Sequence, residues 1–101
     1  MATIEVQTTS TFDRWFAALR DQTVVRAVDR RVGRLRQGNF GDSKSVGDGV
    51  SELRLDLGQG YRIYFTRQGN VIVILLCGGD KSSQERDIDR AKSLALAYRS
   101  A

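Results

Sequence analysis

Hydrophobic and polar residues alternate in three stretches of the chain, and this spacing of two predicts β-strands. The stretches are Thr3 to Gln7, Glu52 to Leu57 and Tyr61 to Thr66. An uninterrupted apolar run follows from Val71 to Cys77. Such a run predicts a fourth strand that is buried on both faces and therefore lies inside the sheet.

Apolar residues three and four positions apart predict three helices. The first is expected to begin at Ser10, with Asp13 in its first turn. The second would end at Gly38, and the third would begin at Ser82, with Glu85 three residues later. The buried stripes of the three helices are predicted to be Phe12, Trp15, Phe16 and Leu19; Val25, Val28, Val32 and Leu35; and Ile88, Ala91, Leu94 and Tyr98.

The segment from Gly38 to Gly49 contains four glycines and is predicted to be a long loop of the functional or mobile kind. The predicted order of elements is therefore β-α-α-β-β-β-α. We expect one α+β domain, residues 1–101, in which the helices pack on a mostly antiparallel twisted sheet.

The composition restricts the chemistry that is open to this domain. Lys and Arg number 16 against 12 Asp and Glu, so the formal charge is +4 and the partner is expected to be anionic, either nucleic acid or an acidic protein. There is no histidine and a single cysteine, Cys77, which excludes imidazole bases, an internal disulfide and a structural zinc site. We therefore expect no metal and no cofactor, and catalysis by carboxylates, Lys, Arg, Tyr or Gln.

Cys77 lies in the apolar run, where a small buried hydrophobe is expected rather than a reactive thiol. The N-terminal stretch carries polar residues between its apolar ones, so no signal peptide is expected. The longest apolar run is much shorter than a bilayer requires. The sequence thus predicts a cytoplasmic protein with no membrane contact.

The turn between the second and third strands determines which side chains become neighbours. A three-residue turn at 58–60 predicts the core pairs Leu57–Tyr61, Leu55–Ile63 and Leu53–Phe65. On the opposite face it predicts the pairs Asp56–Arg62, Arg54–Tyr64 and Glu52–Thr66. This face is either an ordinary surface ion pair or a working site.

A working site of arginine and tyrosine suits the cleavage of RNA. Arginine and lysine can stabilise the charge that develops when a ribose 2′-OH attacks the adjacent phosphate, and a tyrosine or lysine can transfer the protons. Ile72, Ile74 and Leu76 of the next strand would lie on the same face and require a cover. The last helix or a partner protein could provide it.

Five segments, taken in order, resemble one known family. They are Trp15, Gly38 to Lys44, Gly49 to Arg54, Gly60 to Phe65, and Leu75 to Gln84. The chain resembles the RelE/ParE superfamily of type II toxins, and within it the HigB-like or phage-type addiction module killer proteins. The resemblance implies a RelE-like fold and a cognate antitoxin, a small helix-turn-helix protein encoded adjacently, through which alone the toxin would reach operator DNA. It also implies a target, which is mRNA on the ribosome for RelE-like members and DNA gyrase for ParE-like members.

The resemblance also assigns roles to individual residues. Arg62 matches the arginine that contacts the scissile phosphate, Arg54 the strand lysine that acts on the 2′-OH or phosphate, and Lys81 the basic residue that assists the leaving group. The C-terminal tyrosine or histidine of some ribosome-dependent members has no counterpart, since Ile88 lies near its place. Tyr64 or Gln84 is a candidate to replace it.

The sequence therefore predicts a ribosome-dependent mRNA endonuclease that an antitoxin neutralises. A gyrase inhibitor without nuclease activity remains an alternative, as does a degenerate toxin that acts only in operator repression with its antitoxin. Arg30 and Arg34 of the second helix and Lys44 are the predicted RNA contacts, although this helix face is equally well explained as solvated or as a site for an acidic antitoxin segment. Ile72, Ile74 and Leu76 are the predicted antitoxin contacts.

Overall fold

Successive residues of a strand point to opposite faces, so strands that are apolar at every position need a helix layer on each side. A computed structural model describes residues 3–100 and has this three-layer form. The elements are β1 Glu5–Thr8, α1 Ser10–Ala17, α2 Gln22–Arg36, β2 Ser43–Gly47, β3 Val50–Arg54, β4 Arg62–Gln68, β5 Ile72–Gly79, a 3₁₀ turn at Lys81–Ser83 and α3 Gln84–Ser100. The sheet order is β1-β5-β4-β3-β2, in which only β1 pairs in parallel.

Each face of the sheet carries its own core. On one face, α1 and α2 pack against residues such as Leu53, Ile63 and Phe65. On the other face, α3 covers residues that include Tyr64 and Ile74. The predicted α+β class, the position of β5 between two neighbours, and the helix stripes are confirmed, with Val24 buried where Val25 had been expected.

Two helix starts differ from the prediction. Thr9, not Ser10, caps α1: its hydroxyl oxygen accepts the Phe12 N–H and also donates to the Leu76 carbonyl, so this buried hydroxyl is fully hydrogen-bonded. Asp80, not Ser82, caps the turn before α3. The hydrogen bond from the Ser82 hydroxyl lowers the pKa of the Asp80 carboxyl below its usual range.

The predicted loop from Gly38 to Gly49 contains a strand, so that prediction is wrong over Ser43–Gly47. This strand, β2, pairs with β3 through a hairpin whose turn residues Asp48 and Gly49 have φ of 55° and 75°. Asp-Gly is a favoured pair for a turn that needs positive φ at both central positions. The apolar pattern missed it because an edge strand needs little burial, and only Ser43 and Val46 are half-buried.

The predicted register of β3 and β4 is wrong by two residues. Leu53 pairs with Ile63 rather than Phe65, and Arg54 pairs with Arg62 rather than Tyr64. The Leu55 N–H bonds to the Tyr61 carbonyl, and the Leu57 N–H bonds back to the Leu55 carbonyl. The connection between the two strands is therefore two residues longer than predicted. A shift of two residues leaves every side chain on its predicted face, so the faces are correct although the partners are not.

In residues 3–100, none of the helices combines the length and the apolar character that crossing a bilayer requires.

Candidate active-site cleft

Arg54 and Arg62 are direct cross-strand partners at the end of the β3–β4 hairpin. Both line an open cleft of about 320 Å³ where the two strands leave the sheet. The other lining residues are Asp42, Leu55, Asp56, Gly60 and Tyr61. The sequence-based prediction that the two arginines share one surface therefore agrees with the structure, by a closer pairing than expected.

Arg62 is held at two points of its guanidinium group. Its Nε–H donates to Oε2 of Glu52 at 3.1 Å, and its Nη1 donates to the Gly60 carbonyl at 2.9 Å. The side chain is only 13% exposed. Arg62 therefore meets the cleft as an anchored group rather than as a mobile surface charge.

Glu52 was predicted only as a cross-strand partner of Thr66 on the polar face of the sheet, yet it is fully buried. Its second oxygen, Oε1, lies 3.5 Å from the side-chain nitrogen of Gln84. Gln84 is thus a hydrogen-bond donor to Glu52, and its amide does not ionise, so it is not a general acid or base. The importance of Glu52 was missed because the predicted register set it opposite Thr66 instead of Tyr64.

Arg54 is held less firmly. Its Nη2 pairs with the Asp42 carboxylate at 3.1 Å, and the two side chains are 41% and 57% exposed. Such an exposed pair contributes about 0–1 kcal/mol. Arg31 of α2 fixes the backbone here by donating to the carbonyls of Arg54, Phe40 and Asp42. Burial, and then the charge of Arg34, lower the pKa of Arg31.

Lys81 lies beside the cleft although it follows β5 in the chain. Its backbone N–H bonds to the Gln59 carbonyl at 3.2 Å. Its Cβ is so close to Gly60 that a side chain at Gly60 would contact it. The fold thereby brings exposed Lys81 next to Arg62, and the three predicted cations Arg54, Arg62 and Lys81 are neighbours.

Tyr64 is not in the cleft, so the prediction that it works there is wrong. It lies on the α3 side of the sheet, is fully buried, and its hydroxyl has no hydrogen-bond partner among the described residues. Burial, followed by the nearby Glu52 charge, raises the pKa of Tyr64 far above its usual value. The polar pattern misled because α3 closes over this face.

The predicted antitoxin face is covered for the same reason. Ile74 and Leu76 are fully buried beneath α3, and Ile72 is half-buried, so they form no open surface for a partner. Cys77 belongs to the same cluster and is buried, as predicted. Burial raises the pKa of its thiol to about 12.

Arg30 and Arg34 line a second cleft, of about 380 Å³, between α2 and the chain after β3. Arg31 belongs to its wall, and both clefts share Leu55 and Asp56. The two clefts are therefore contiguous, and arginines line both. The third predicted RNA contact, Lys44, is exposed on β2 and lines neither cleft.

Within the part of the chain that the structure describes, no group of three or more Asp, Glu or Cys side chains is arranged to hold a metal ion.

A known protein family matches the part of the chain that contains the residues of both clefts. The family described as phage derived protein Gp49-like matches residues 14–98. The chain belongs to this Gp49-like family. An uncharacterised protein of Haemophilus influenzae is 55% identical to the Gp49-like chain over 93 residues, which cover 92% of this chain and 94% of the relative.

The fold of the Gp49-like chain has a counterpart among solved structures. The crystal structure of the toxin–antitoxin complex RelBE2 from Mycobacterium tuberculosis contains a chain that matches it with a TM-score of 0.64 at 20% identity. The match covers 79% of the Gp49-like chain and 100% of the other. The predicted membership in the RelE/ParE toxin superfamily and the RelE-like fold are confirmed.

Proposed function

We propose that this protein is the toxin of a type II toxin–antitoxin module and that it cleaves mRNA on the ribosome. The observation that carries the proposal is the Arg54–Arg62 cross-strand pair, which lines an open cleft beside Lys81. Two arginines in one cleft, with a lysine at its border, suit a phosphodiester, whose reaction needs charge stabilisation more than any other assistance. Membership in a RelE-superfamily family supports the same conclusion.

The proposed reaction needs no group that the chain lacks. The ribose 2′-oxygen forms a bond to the adjacent phosphorus, and the bond from phosphorus to the 5′-oxygen breaks, which leaves a 2′,3′-cyclic phosphate and a 5′-hydroxyl. Arg62 and Arg54 stabilise the negative charge on the phosphorane, and Lys81 donates a proton to the leaving 5′-oxygen. The 2′-OH proton passes to Asp42 or Asp56, the carboxylates that line the cleft.

The cleft is open and both candidate bases are exposed, Asp42 being held only by its exposed ion pair with Arg54. Positioning therefore has to come from elsewhere, and a ribosome that holds the mRNA in place would supply it. We expect the isolated chain to cleave free RNA slowly and ribosome-bound mRNA rapidly.

Inhibition of DNA gyrase is the second candidate function. Two observations favour it: the buried Glu52 neutralises Arg62, and Tyr64, the expected proton-transfer group, is buried beneath α3 and does not line the cleft. In that case the cleft would bind a partner and carry out no reaction. A degenerate toxin that acts only in operator repression with its antitoxin is the third candidate.

Expression of the chain with and without Arg54→Gln tests the three candidates. The wild-type chain should stop incorporation of labelled methionine within minutes, without inducing the DNA-damage response. Arg54→Gln should lower the cleavage rate about 100-fold, the usual cost of losing one transition-state charge contact. Because the Arg54–Asp42 pair is exposed, the variant should stay folded.

Arg14→Gln is the matched control, since Arg14 is exposed on α1 and lines neither cleft. It should leave translation arrest unchanged. DNA damage and filamentation with continued translation would refute the nuclease proposal in favour of gyrase. A wild-type chain that is harmless on its own would refute both and favour the operator role.

We also propose that the second cleft, which Arg30 and Arg34 of α2 line and which we call the α2 cleft, binds the RNA backbone that leads into the active-site cleft. The double variant Arg30→Gln with Arg34→Gln should weaken binding of a single-stranded RNA. It should also reduce the slope of log K against log salt by about 1.4, since each neutralised phosphate contributes about 0.7. A salt titration of purified chain with a fluorescent oligonucleotide measures both effects.

The control for this test removes the same charge elsewhere. Arg14→Gln with Arg26→Gln takes away two exposed arginines that line neither cleft. If both double variants reduce the salt slope equally, RNA is attracted only by net charge and the α2 cleft is no binding site.

The proposed partners are those of a type II toxin. They are a cognate antitoxin, small, of the helix-turn-helix kind and encoded adjacently, together with the ribosome and its mRNA. Operator DNA would be reached through the antitoxin alone. Because Ile74 and Leu76 are buried by α3, the antitoxin is expected to bind elsewhere on the folded chain.

A further inference from the structure

A carboxylate with no exposed surface contacts one of the arginines that line the active-site cleft. This residue, Glu52, has a partner for each of its oxygens, Arg62 for one and Gln84 for the other. A buried charge is costly unless it is paired and hydrogen-bonded, and an ion pair of this kind adds little net stability over apolar residues of the same size. Stability alone therefore does not explain why an acid stands here.

The contact with Glu52 constrains Arg62, which lines the cleft. Because a guanidinium group is planar and rigid, two hydrogen bonds at different nitrogens fix its plane. Glu52 holds Nε of Arg62, and the Gly60 carbonyl holds Nη1. The remaining nitrogen, Nη2, is the donor that can meet a ligand in the cleft that Arg62 lines.

The second anchor depends on an unusual backbone conformation. Gly60 has φ of +74°, which side chains other than glycine seldom tolerate, and a Cβ there would approach both Arg62 and Lys81. The requirement for glycine therefore comes from the positive φ, and the Gly60 carbonyl in this conformation accepts a hydrogen bond from Arg62.

The two arginines of the cleft differ in how they are held. Arg54 has one exposed carboxylate partner, Asp42, whereas Arg62 has a fully buried partner and a backbone carbonyl. Exposed pairs rearrange easily, since they are screened by water, and buried ones do not. The side chain of Arg62 is accordingly held more firmly than that of Arg54.

We propose that Glu52 is a positioning residue, which together with the Gly60 carbonyl orients Arg62 so that its Nη2 faces the phosphate in the cleft. The proposal rests on the nuclease function and deepens it. Glu52 also offsets the charge of Arg62, so a phosphate is not bound too tightly before the reaction. Contacts that strengthen only as charge develops in the transition state raise kcat rather than lower KM.

The test is the isosteric variant Glu52→Gln, assayed on ribosome-bound mRNA per folded molecule. The amide keeps an acceptor oxygen but loses the charge that fixes the guanidinium plane. We expect kcat to fall about 10- to 100-fold, because displacing a catalytic group by about 1 Å can cost about 100-fold and a smaller displacement costs less. KM should stay the same or fall, because Arg62 is no longer neutralised.

Asp48→Asn is the matched control. Asp48 is an exposed acid paired with Lys92 at 3.6 Å and lines neither cleft, and asparagine tolerates its φ of 55°. It should leave kcat and KM unchanged. A folded Glu52→Gln protein with wild-type kcat overturns the proposal, as does one whose only defect is a lower melting temperature.

A second measurement needs no catalysis. In nitrogen-15 NMR spectra, the Arg62 Nε–H of the wild-type chain should exchange with water at least tenfold more slowly than the exposed Arg14 Nε–H, and Glu52→Gln should remove most of that protection. If the wild-type chain cleaves no RNA, the nuclease function is refuted. The exchange rates of the Nε–H, measured with and without inorganic phosphate, then still test whether Glu52 orients Arg62. Equal rates for the two arginines in the wild-type chain overturn the positioning proposal, whether or not the variant folds.

Discussion

Arg62→Ala should abolish the toxic activity of the chain and lower its free energy of unfolding by about 3–5 kcal/mol, because it leaves a buried carboxylate without its partner. Glu52 has no exposed surface and its Oε2 accepts from Arg62. Equilibrium unfolding in urea measures the stability, and growth after induction measures the activity. Loss of toxicity in this single variant therefore mixes two effects, removal of a phosphate ligand and loss of folded protein.

A double variant separates the two effects. Arg62→Met with Glu52→Leu replaces the ion pair by apolar residues of similar size, and such replacements are often neutral or stabilising. We expect stability to return to within about 2 kcal/mol of wild type, while the chain remains non-toxic. A single variant as stable as wild type would show that Glu52 is not buried as described. A folded double variant that is fully toxic would remove Arg62 from the mechanism.

Gly79→Ala should be the most damaging of the single-methyl additions, with a loss of about 3 kcal/mol from overpacking and a broken charged hydrogen bond. A Cβ at Gly79 would overlap the carboxylate of Asp87 and press on the Ser83 hydroxyl. Asp87 is buried and accepts a hydrogen bond from Ser83, so neither group can move without breaking that bond. The first turn of α3 would separate from the sheet, and its cover over Tyr64 would loosen.

Gly33→Ala is the control for this prediction. Gly33 lies inside α2, and apart from the adjoining backbone of its own helix and its two chain neighbours, no described atom lies within 4 Å of the position its Cβ would take. Alanine should stabilise the chain there by about 0.5–1 kcal/mol, because glycine loses more backbone freedom in a helix. We expect the melting temperature to fall for Gly79→Ala and to rise for Gly33→Ala. A Gly79→Ala protein whose melting temperature is unchanged or raised would contradict the packing described around Gly79.

Most of the fold was predictable because its signals are local. Spacings of two and of three to four residues identify the strands and the helices wherever one face is buried. They identified α1, α2, α3, β1, β4 and β5, and also β3, which spans Val50–Arg54 rather than the predicted Glu52 to Leu57. The strand β2 escaped because it is an edge strand whose residues are mostly exposed. Its turn, Asp48-Gly49, carried the signal that could have revealed it.

The candidate site was predictable in part. Arg54, Arg62 and Lys81 are close together as expected, because a strand's alternation keeps side chains on one face even when the register is wrong by two residues. Tyr64 and Gln84 were misjudged, since polar residues on one face of a strand are exposed only if nothing covers that face. Glu52 was overlooked as a partner of Arg62, because that contact depends on the true register.

Arg54 and Arg62 sum up the division between sequence and tertiary structure. The sequence alone determined that both arginines lie on neighbouring strands and on one face, because alternation and charge are properties of short segments. Only the tertiary structure decided that Glu52 is buried with Arg62, that α3 closes over Tyr64, and that Lys81 lies beside Gly60 at the border of the cleft. Those outcomes depend on which distant segments pack together, and neither hydrophobic spacing nor composition encodes such packing in a form that can be recognised locally.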